Sequence, residues 1–321
     1  MKVAVLGLGL MGEPMAAHLL AAGHEVTVVA HRSRASIERL LAKGADEAAD
    51  AAEAAASTDL ALMLLPTSNE VEAVLFGQAG TTAGTRAGAR AGTTAGARAG
   101  IVAGMAPGYL AVDMGTCYPP DTRRLAQRFE EAGGRFIDAP VTGGVEGARA
   151  GTLTVMAGGD PAILDGIRPL LAAFSSHVYH FGEIGKGHAA KLIQNMIGWI
   201  EVAGVAEGIA FAKASGLDLE TFFSMLSTSH SNSPIVQWMV PKVFAGAFDD
   251  VEFRLTLAHK DIHQAAKLAR ETTRLALPVA NAATELFQLA RALGFGDQDS
   301  TAVMRGLEAM LEEPARTPPR R

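Results

Sequence analysis

The sequence predicts an α/β protein: a doubly wound parallel sheet over residues 1–182, then an all-α domain over residues 183–311. Three observations carry this. A strand, a glycine turn and a helix open the chain. Short apolar strands then alternate with helical segments. Beyond about residue 182 only helical periodicity remains.

Residues 1–6 read as a short buried strand. Gly7-Leu8-Gly9-Leu10-Met11-Gly12 follows at once, and a helical run follows over 13–22. In that context G-x-G-x-x-G is a dinucleotide signature. Gly7 permits the tight turn, Gly9 lets the backbone approach a pyrophosphate, and Gly12 lets the helix pack on the strand. The helix start offers free N–H groups and a positive dipole end.

The second strand covers 25–30, after Gly23 as a helix C-cap. Sites that prefer NAD place a carboxylate at the end of this strand, for the ribose 2′-OH. Here the chain reads Ala30-His31-Arg32-Ser33-Arg34, with no carboxylate before Glu38. A guanidinium there can pair with a 2′-phosphate, so NADP is expected over NAD, with Arg32 and Ser33 as its contacts. The competing reading makes Arg32 and Arg34 solvated residues of a helix start.

Further strands are read at 59–65, ended by Pro66, and at 109–114, 135–139 and 152–157, with a helix over 120–132. One segment breaks the alternation. Residues 79–90 read AGTTAGTRAGAR and 91–100 read AGTTAGARAG, a near-perfect tandem duplication. Without a large apolar residue it cannot cover a core, and 79–104 is expected to be a flexible surface insertion. Helices are then expected over 188–214, 219–226, 235–244, 256–276, 279–293 and 301–311. The proline-bearing tail, 312–321, is expected to be disordered.

Bulk properties exclude several classes. A net charge of −6 argues against nucleic acid or an anionic membrane as partner. The longest apolar run, 196–214, carries Glu201, Glu207 and Lys213, which fits a helix between protein surfaces rather than a membrane span. No signal peptide fits ahead of a strand that starts at Lys2, and a cytoplasmic location is expected. The single cysteine, Cys117, permits no intrachain disulfide and reads as a small turn residue.

Two stretches carry candidate chemistry. Asp138-Ala139-Pro140-Val141-Thr142-Gly143-Gly144 follows a strand, and its two glycines expose N–H groups that can hold a carboxylate. An ordinary strand-end turn would look the same. Gly182-x-x-Gly185-x-Gly187-x-x-x-Lys191-x-x-x-Asn195 puts Lys191 and Asn195 on one helix face among apolar neighbours. A lysine there is expensive unless paired or employed, and desolvation favours the neutral amine that acid/base work requires. The alternative is that Lys191 snorkels to the surface. Lys260-Asp261 forms a second constellation, flanked by His259 and His263 at metal-pair spacing. No third ligand is visible, so no metal is expected. Ser231, Trp238 and Met239 are further pocket candidates.

Four motifs in order, Gly7–Gly12, Asp138–Gly144, Gly182–Asn195 and Phe253–Asp261, resemble the β-hydroxyacid dehydrogenase family over nearly the whole chain. That family groups 3-hydroxyisobutyrate dehydrogenases with tartronate semialdehyde and succinic semialdehyde/glyoxylate reductases. The resemblance implies a Rossmann-type domain joined by a long helix to a helical domain that forms homodimers or homotetramers. It implies Pro66 and Thr116 near the cofactor, with Gly7, Gly9, Leu10, Met11 and Gly12. Thr142, Gly143 and Gly144 would hold the substrate carboxylate, and Asn195 would anchor the substrate. Lys191 would be the general acid/base. Lys260 would lie near cofactor and substrate, oriented by Asp261, with Phe253 lining the site. The implied partner is a small hydroxy acid or its semialdehyde.

Departures are Thr142 where serine is usual, Gln194 where asparagine is frequent, Cys117-Tyr118 after Thr116, and the arginine–glycine insertion. An imine reductase on the same architecture and a non-catalytic dinucleotide-binding module are the competing readings. Relatives of both kinds tend to lack the lysine at 191. The 6-phosphogluconate dehydrogenases rank lower: they are longer and usually carry histidine at the position of Gln194.

Overall fold

The computed structural model describes residues 1–29, 34–77, 99–311 and 314–315. Two compact units divide the chain, Met1–Lys191 and Leu192–Arg321.

In the first unit, β1 (Lys2–Leu6), β2 (Glu25–Val29), β3 (Asp46–Ala48), β4 (Leu60–Met63), β5 (Leu110–Asp113) and β6 (Arg135–Asp138) form a sheet of order β3-β2-β1-β4-β5-β6. Every neighbouring pair is parallel. The order reverses between β1 and β4, and ligands of such sheets bind outside the carboxyl ends at that point. The central strands β1 and β4 are short and almost continuously apolar because both faces are covered, whereas the edge strand β3 exposes Asp46 and Glu47. Val3, Val5, Val28, Leu60, Leu62 and Val112 pack on one side, under α1 (Gly12–Ala21) and α2 (Arg34–Leu41). Ala4, Ala61, Met63 and Ala111 face α3 (Ala51–Ser57), α4 (Ser68–Phe76) and α5 (Pro119–Glu131).

The sequence places 152–157 in the parallel sheet. It lies instead in a second, three-stranded sheet, β7 (Val141–Thr142), β8 (Leu153–Ala157) and β9 (Ser175–His180), ordered β7-β8-β9. Here β7 pairs antiparallel with β8, and β8 parallel with β9. The polar strand SSHVYH explains why β9 carries no apolar signature; four of its six residues are exposed. Between β7 and β8 lies α6 (Gly144–Ala150), and between β8 and β9 lies α7 (Pro161–Leu171).

The insertion expected at 79–104 is shorter at its far end. Ile101 is wholly buried in a 3-10 turn, Ile101–Ala103, against the alanine-rich core of this face. Residues 79–98 lie outside the described residues. Gly77 and Gly100 abut: a Cβ at Gly100 would fall 2.2 Å from the Gly77 nitrogen.

α8 (Lys186–Ala214) runs for 29 residues. The second unit adds α9 (Leu219–Ser227), α10 (Pro234–Ala245), α11 (Leu255–Thr273), α12 (Pro278–Ala292) and α13 (Met304–Leu311). Val202, Ala206, Val240, Phe248, Ile262 and Phe287 are at its centre. α11 stops three residues before its expected end, at Arg274, whose φ of 61° is left-handed. The tail expected to be disordered is anchored at the two residues described. Ala315 is wholly buried and donates to Glu308 Oε1 at 2.7 Å, and Pro314 O accepts from Lys213 Nζ. Among the described residues no helix is long and apolar enough to cross a membrane.

Candidate active site

The glycine turn after β1 is fixed by space. Gly7 has φ +102°, and a Cβ on it would fall 2.3 Å from the Leu64 carbonyl oxygen. A Cβ on Gly12 would fall 2.1 Å from the Gly7 oxygen. Gly9 differs: nothing lies within 4 Å of where its Cβ would be. The turn therefore holds its shape at Gly7 and Gly12 and opens a cradle at Gly9. Met11, at the N-cap of α1, makes no side-chain cap, and Leu10 stands exposed. These residues fit the pyrophosphate of a dinucleotide.

Pro66 follows β4 and Thr116 follows β5, both beyond the carboxyl ends of their strands. Their loops are packed tightly, since a Cβ on Gly115 would fall 2.3 Å from the Leu65 oxygen. Arg32 and Ser33 lie outside the described residues. Arg34, offered as a solvated alternative, pairs with Glu47 at 2.5 Å and with Glu38 at 3.5 Å.

After β6 the chain passes through Ala139 and Pro140 into β7, then turns at Gly143 and Gly144 with φ of 128° and 65°. Both values lie in the left-handed half of φ space, which explains the two glycines. Gly143 is the N-cap of α6 and brings no side-chain cap, while Gly144 faces open space. The backbone N–H groups at this turn and the half-exposed Thr142 hydroxyl are suited to an anion such as a carboxylate.

The start of α8 is tied to this unit by a buried polar network that sequence reasoning missed. Asp138, wholly buried, accepts from the N–H of Gly185 at 2.7 Å and from the N–H of His188 at 2.7 Å. Burial pushes its carboxyl up to about 6, against the pull of those N–H groups. Gly187 permits the approach: a Cβ there would fall 2.3 Å from the Met156 oxygen and 2.9 Å from Asp138 Oδ2. The His188 ring is also buried, with Nδ1 2.7 Å from Thr122 Oγ1 and Nε2 3.8 Å from Asp113 Oδ2. Cys117 completes the knot. Its sulfur and ligand atoms of Asp113 and His188 lie within 4.8 Å of one another, the one set among the described residues that could hold a metal ion. The available sequence signal was a pair of strands ending in aspartate, LAVD and RFID, ahead of a Gly-x-Gly helix start.

Lys191 sits one turn into α8, with only 8% of its surface exposed. Within the second unit, Asn195 donates from Nδ2 to Asp261 Oδ2 at 2.7 Å, and Lys260 Nζ lies 3.1 Å from Asp261 Oδ1. Asp261 is wholly buried, so one carboxylate holds both groups. Phe253 is fixed ahead of α11 by its N–H to Asp299 Oδ2 at 3.1 Å, and its ring centroid is 5.0 Å from that of Trp199. Of the other pocket candidates, Met239 is wholly buried in the core, and Trp238 donates to Glu252 Oε2 at 3.0 Å. His259 and His263 stack at 5.9 Å. Burial, the Arg291 guanidinium and His263 together push His259 down to about 4.

Two family models cover the chain. The NAD-binding domain of 6-phosphogluconate dehydrogenase matches residues 2–182. The NAD-binding domain of NADP-dependent 3-hydroxyisobutyrate dehydrogenase matches residues 185–307. The chain is 32% identical to 2-(hydroxymethyl)glutarate dehydrogenase of Eubacterium barkeri, over 96% of this chain and 95% of that one. It is 31% identical to 2-hydroxy-3-oxopropionate reductase of Escherichia coli K12, over 97% and 98%. The crystal structure of 3-hydroxyisobutyrate dehydrogenase from Salmonella typhimurium superposes with a TM-score of 0.83 at 28% identity, covering 95% of this chain and 99% of that one.

Proposed function

The chain belongs to the β-hydroxyacid dehydrogenase family and is an NAD(P)-dependent oxidoreductase acting on CH–OH groups; on that premise we propose that it interconverts a small β-hydroxy carboxylic acid and its semialdehyde, with NADP preferred and Lys191 as general acid/base. The observation that carries the reading is the setting of Lys191. It is buried on α8, one turn beyond the helix start that a buried carboxylate holds. A lysine kept from water and fixed in place is positioned for proton transfer rather than for solubility.

A bound nicotinamide cofactor would supply the hydride chemistry at the carbinol carbon. The neutral Lys191 amine takes the hydroxyl proton as the acid is oxidised. In the reverse direction its ammonium returns that proton to the developing alkoxide and stabilises the charge. The N–H groups of Gly143 and Gly144, with the Thr142 hydroxyl, hold the substrate carboxylate. Asn195 commits one N–H to Asp261, which fixes its amide against the substrate. Gly7, Gly9, Leu10, Met11 and Gly12 would hold the pyrophosphate, with Pro66 and Thr116 near the cofactor and Arg32 and Ser33 as the residues that would take a 2′-phosphate.

The chain acts in a reducing compartment, the cytoplasm, as a homodimer or homotetramer built through its helical unit. What supports assembly is an exposed stripe on α8: Ile193, Ile197, Gly204, Gly208 and Phe211 recur on one face, and Phe211 is 75% exposed.

The test is oxidation of NADPH, with NADH in parallel, against methylmalonate, tartronate and succinate semialdehydes and glyoxylate. Turnover of at least one, faster with NADPH and slowed by Arg32→Ala with NADPH only, is the expected result. Binding of NADPH without turnover of any of them would overturn the reading.

A further inference from the structure

We infer that Trp199 and Phe253 form the wall that limits how large a substrate the Asn195 site accepts, an inference that rests on the role of Asn195 proposed above. Within the second unit, α8 and the segment leading through α11 meet in two tiers. The polar tier is Asn195, Lys260 and Asp261, joined through the Asp261 carboxylate. The aromatic tier is Trp199 and Phe253, with ring centroids 5.0 Å apart at 39°.

Trp199 is one turn beyond Asn195 on α8, so the tiers are about 6 Å apart along the helix. A substrate held at Asn195 therefore meets the two rings after a few bonds. Both rings are half-buried. Their inner sides pack on the helical core, where Trp199 also meets Phe287 at 6.1 Å, and that backing keeps the wall from yielding. Aromatic pairs of this geometry resist displacement beyond their area of burial.

The Trp199 ring is a size element rather than a polar one. Its Nε1 is buried and makes no hydrogen bond with any described residue. Replacement by phenylalanine or leucine therefore removes volume and breaks no hydrogen bond. The Phe253 backbone is held at Asp299, so the segment that carries its ring stays in place when residue 199 is made smaller.

The experiment compares the unmodified chain with Trp199→Phe and Trp199→Leu. Each is assayed with NADP for 3-hydroxypropionate, 3-hydroxyisobutyrate and 3-hydroxy-2-phenylpropanoate. In Trp199→Leu, kcat/KM for the phenyl acid relative to 3-hydroxypropionate is expected to rise by at least about tenfold, with a smaller rise in Trp199→Phe and the KM for NADP unchanged. If leucine at this position prevents folding, the phenylalanine variant carries the test, and a ratio raised beyond about threefold is expected. An unchanged ratio in a folded variant that still turns over 3-hydroxypropionate would overturn the wall and leave the proposed function standing. Absence of turnover of every acid by the unmodified chain would instead overturn the proposed function and this inference with it.

Discussion

Asp138 Oδ2 accepts the backbone N–H of His188 at 2.7 Å, so a carboxylate at the end of β6 closes the first turn of the helix that carries Lys191. The two residues are 50 positions apart in sequence and both wholly buried. The bond gives the helix start a fixed address on the sheet.

That carboxyl makes stability depend on pH. Its value in the folded chain is about 6, above the ordinary 3.8, so the folded state holds this proton more tightly than the unfolded state. The stabilising contribution of the group is complete below the ordinary value and is lost as pH rises through about 6. Measured by denaturant unfolding between pH 4 and 7, the parent should lose up to about 3 kcal/mol relative to Asp138→Asn as pH rises. A difference that stays flat across this range would contradict the assignment.

Lys191→Ala should fold, since the residue lies beyond the network that pins the helix start. It should bind NADPH as the parent does, with kcat lowered about 10²- to 10⁴-fold. Fluorescence titration of the cofactor beside steady-state rates separates the two effects, and near-normal turnover would remove Lys191 from the mechanism.

Gly7 and Gly9 should respond in opposite ways to alanine. Gly7→Ala combines a φ of +102° with a 2.3 Å clash on Leu64 and should cost at least about 2 kcal/mol of stability. Gly9→Ala adds a methyl to open space and should leave the melting temperature almost unchanged while weakening dinucleotide binding at least about tenfold. Equal loss of stability in both variants would show that the cradle at Gly9 is not free space.

Asp261 serves two partners, so removing it should expose their coupling. A double-mutant cycle of Asp261→Ala and Asn195→Ala should give an interaction of about 1–3 kcal/mol in unfolding free energy. Simple additivity would mean that the 2.7 Å bond between them contributes nothing in solution.

Phe211→Glu places a charge on the exposed stripe of α8. Light scattering on the eluted protein should show a smaller assembly than the parent, with unfolding free energy of the isolated chain changed by no more than about 0.5 kcal/mol. An unchanged mass would move the contact elsewhere.

The glycine turn, the parallel character of the main sheet and the helical second half were legible in the sequence because each is written locally, in apolar periods and in glycines at fixed spacing. The strand order, which depends on β3 and on long-range pairing, was not. The second sheet was not. β7 is two residues long, and β9 exposes most of its side chains. The site was legible in halves. Lys191 and Asn195 announce themselves as polar residues on an apolar helix. Asp261 was expected beside Lys260, but its bond to Asn195 spans 66 positions and belongs to tertiary packing. Asp113, Thr122 and His188 carry no spacing that links them; only the fold brings their buried polar atoms together. Trp199 read as one more apolar residue until its ring was found against Phe253.

The abutting backbones of Gly77 and Gly100 have a practical meaning for the tandem arginine–glycine duplication between them. Gly77 and Gly100 are backbone neighbours in space, so the separation of α4 from Ile101 is set by their contact and not by how many residues intervene. Loop-closure entropy changes by only about 0.6 kcal/mol for each doubling of length. The duplication can therefore be halved, excised or exchanged for a foreign domain without shifting the register of β4 or β5. This position is a natural port for an affinity tag or a fluorescent reporter, and a route by which the gene could lengthen at little cost to the enzyme.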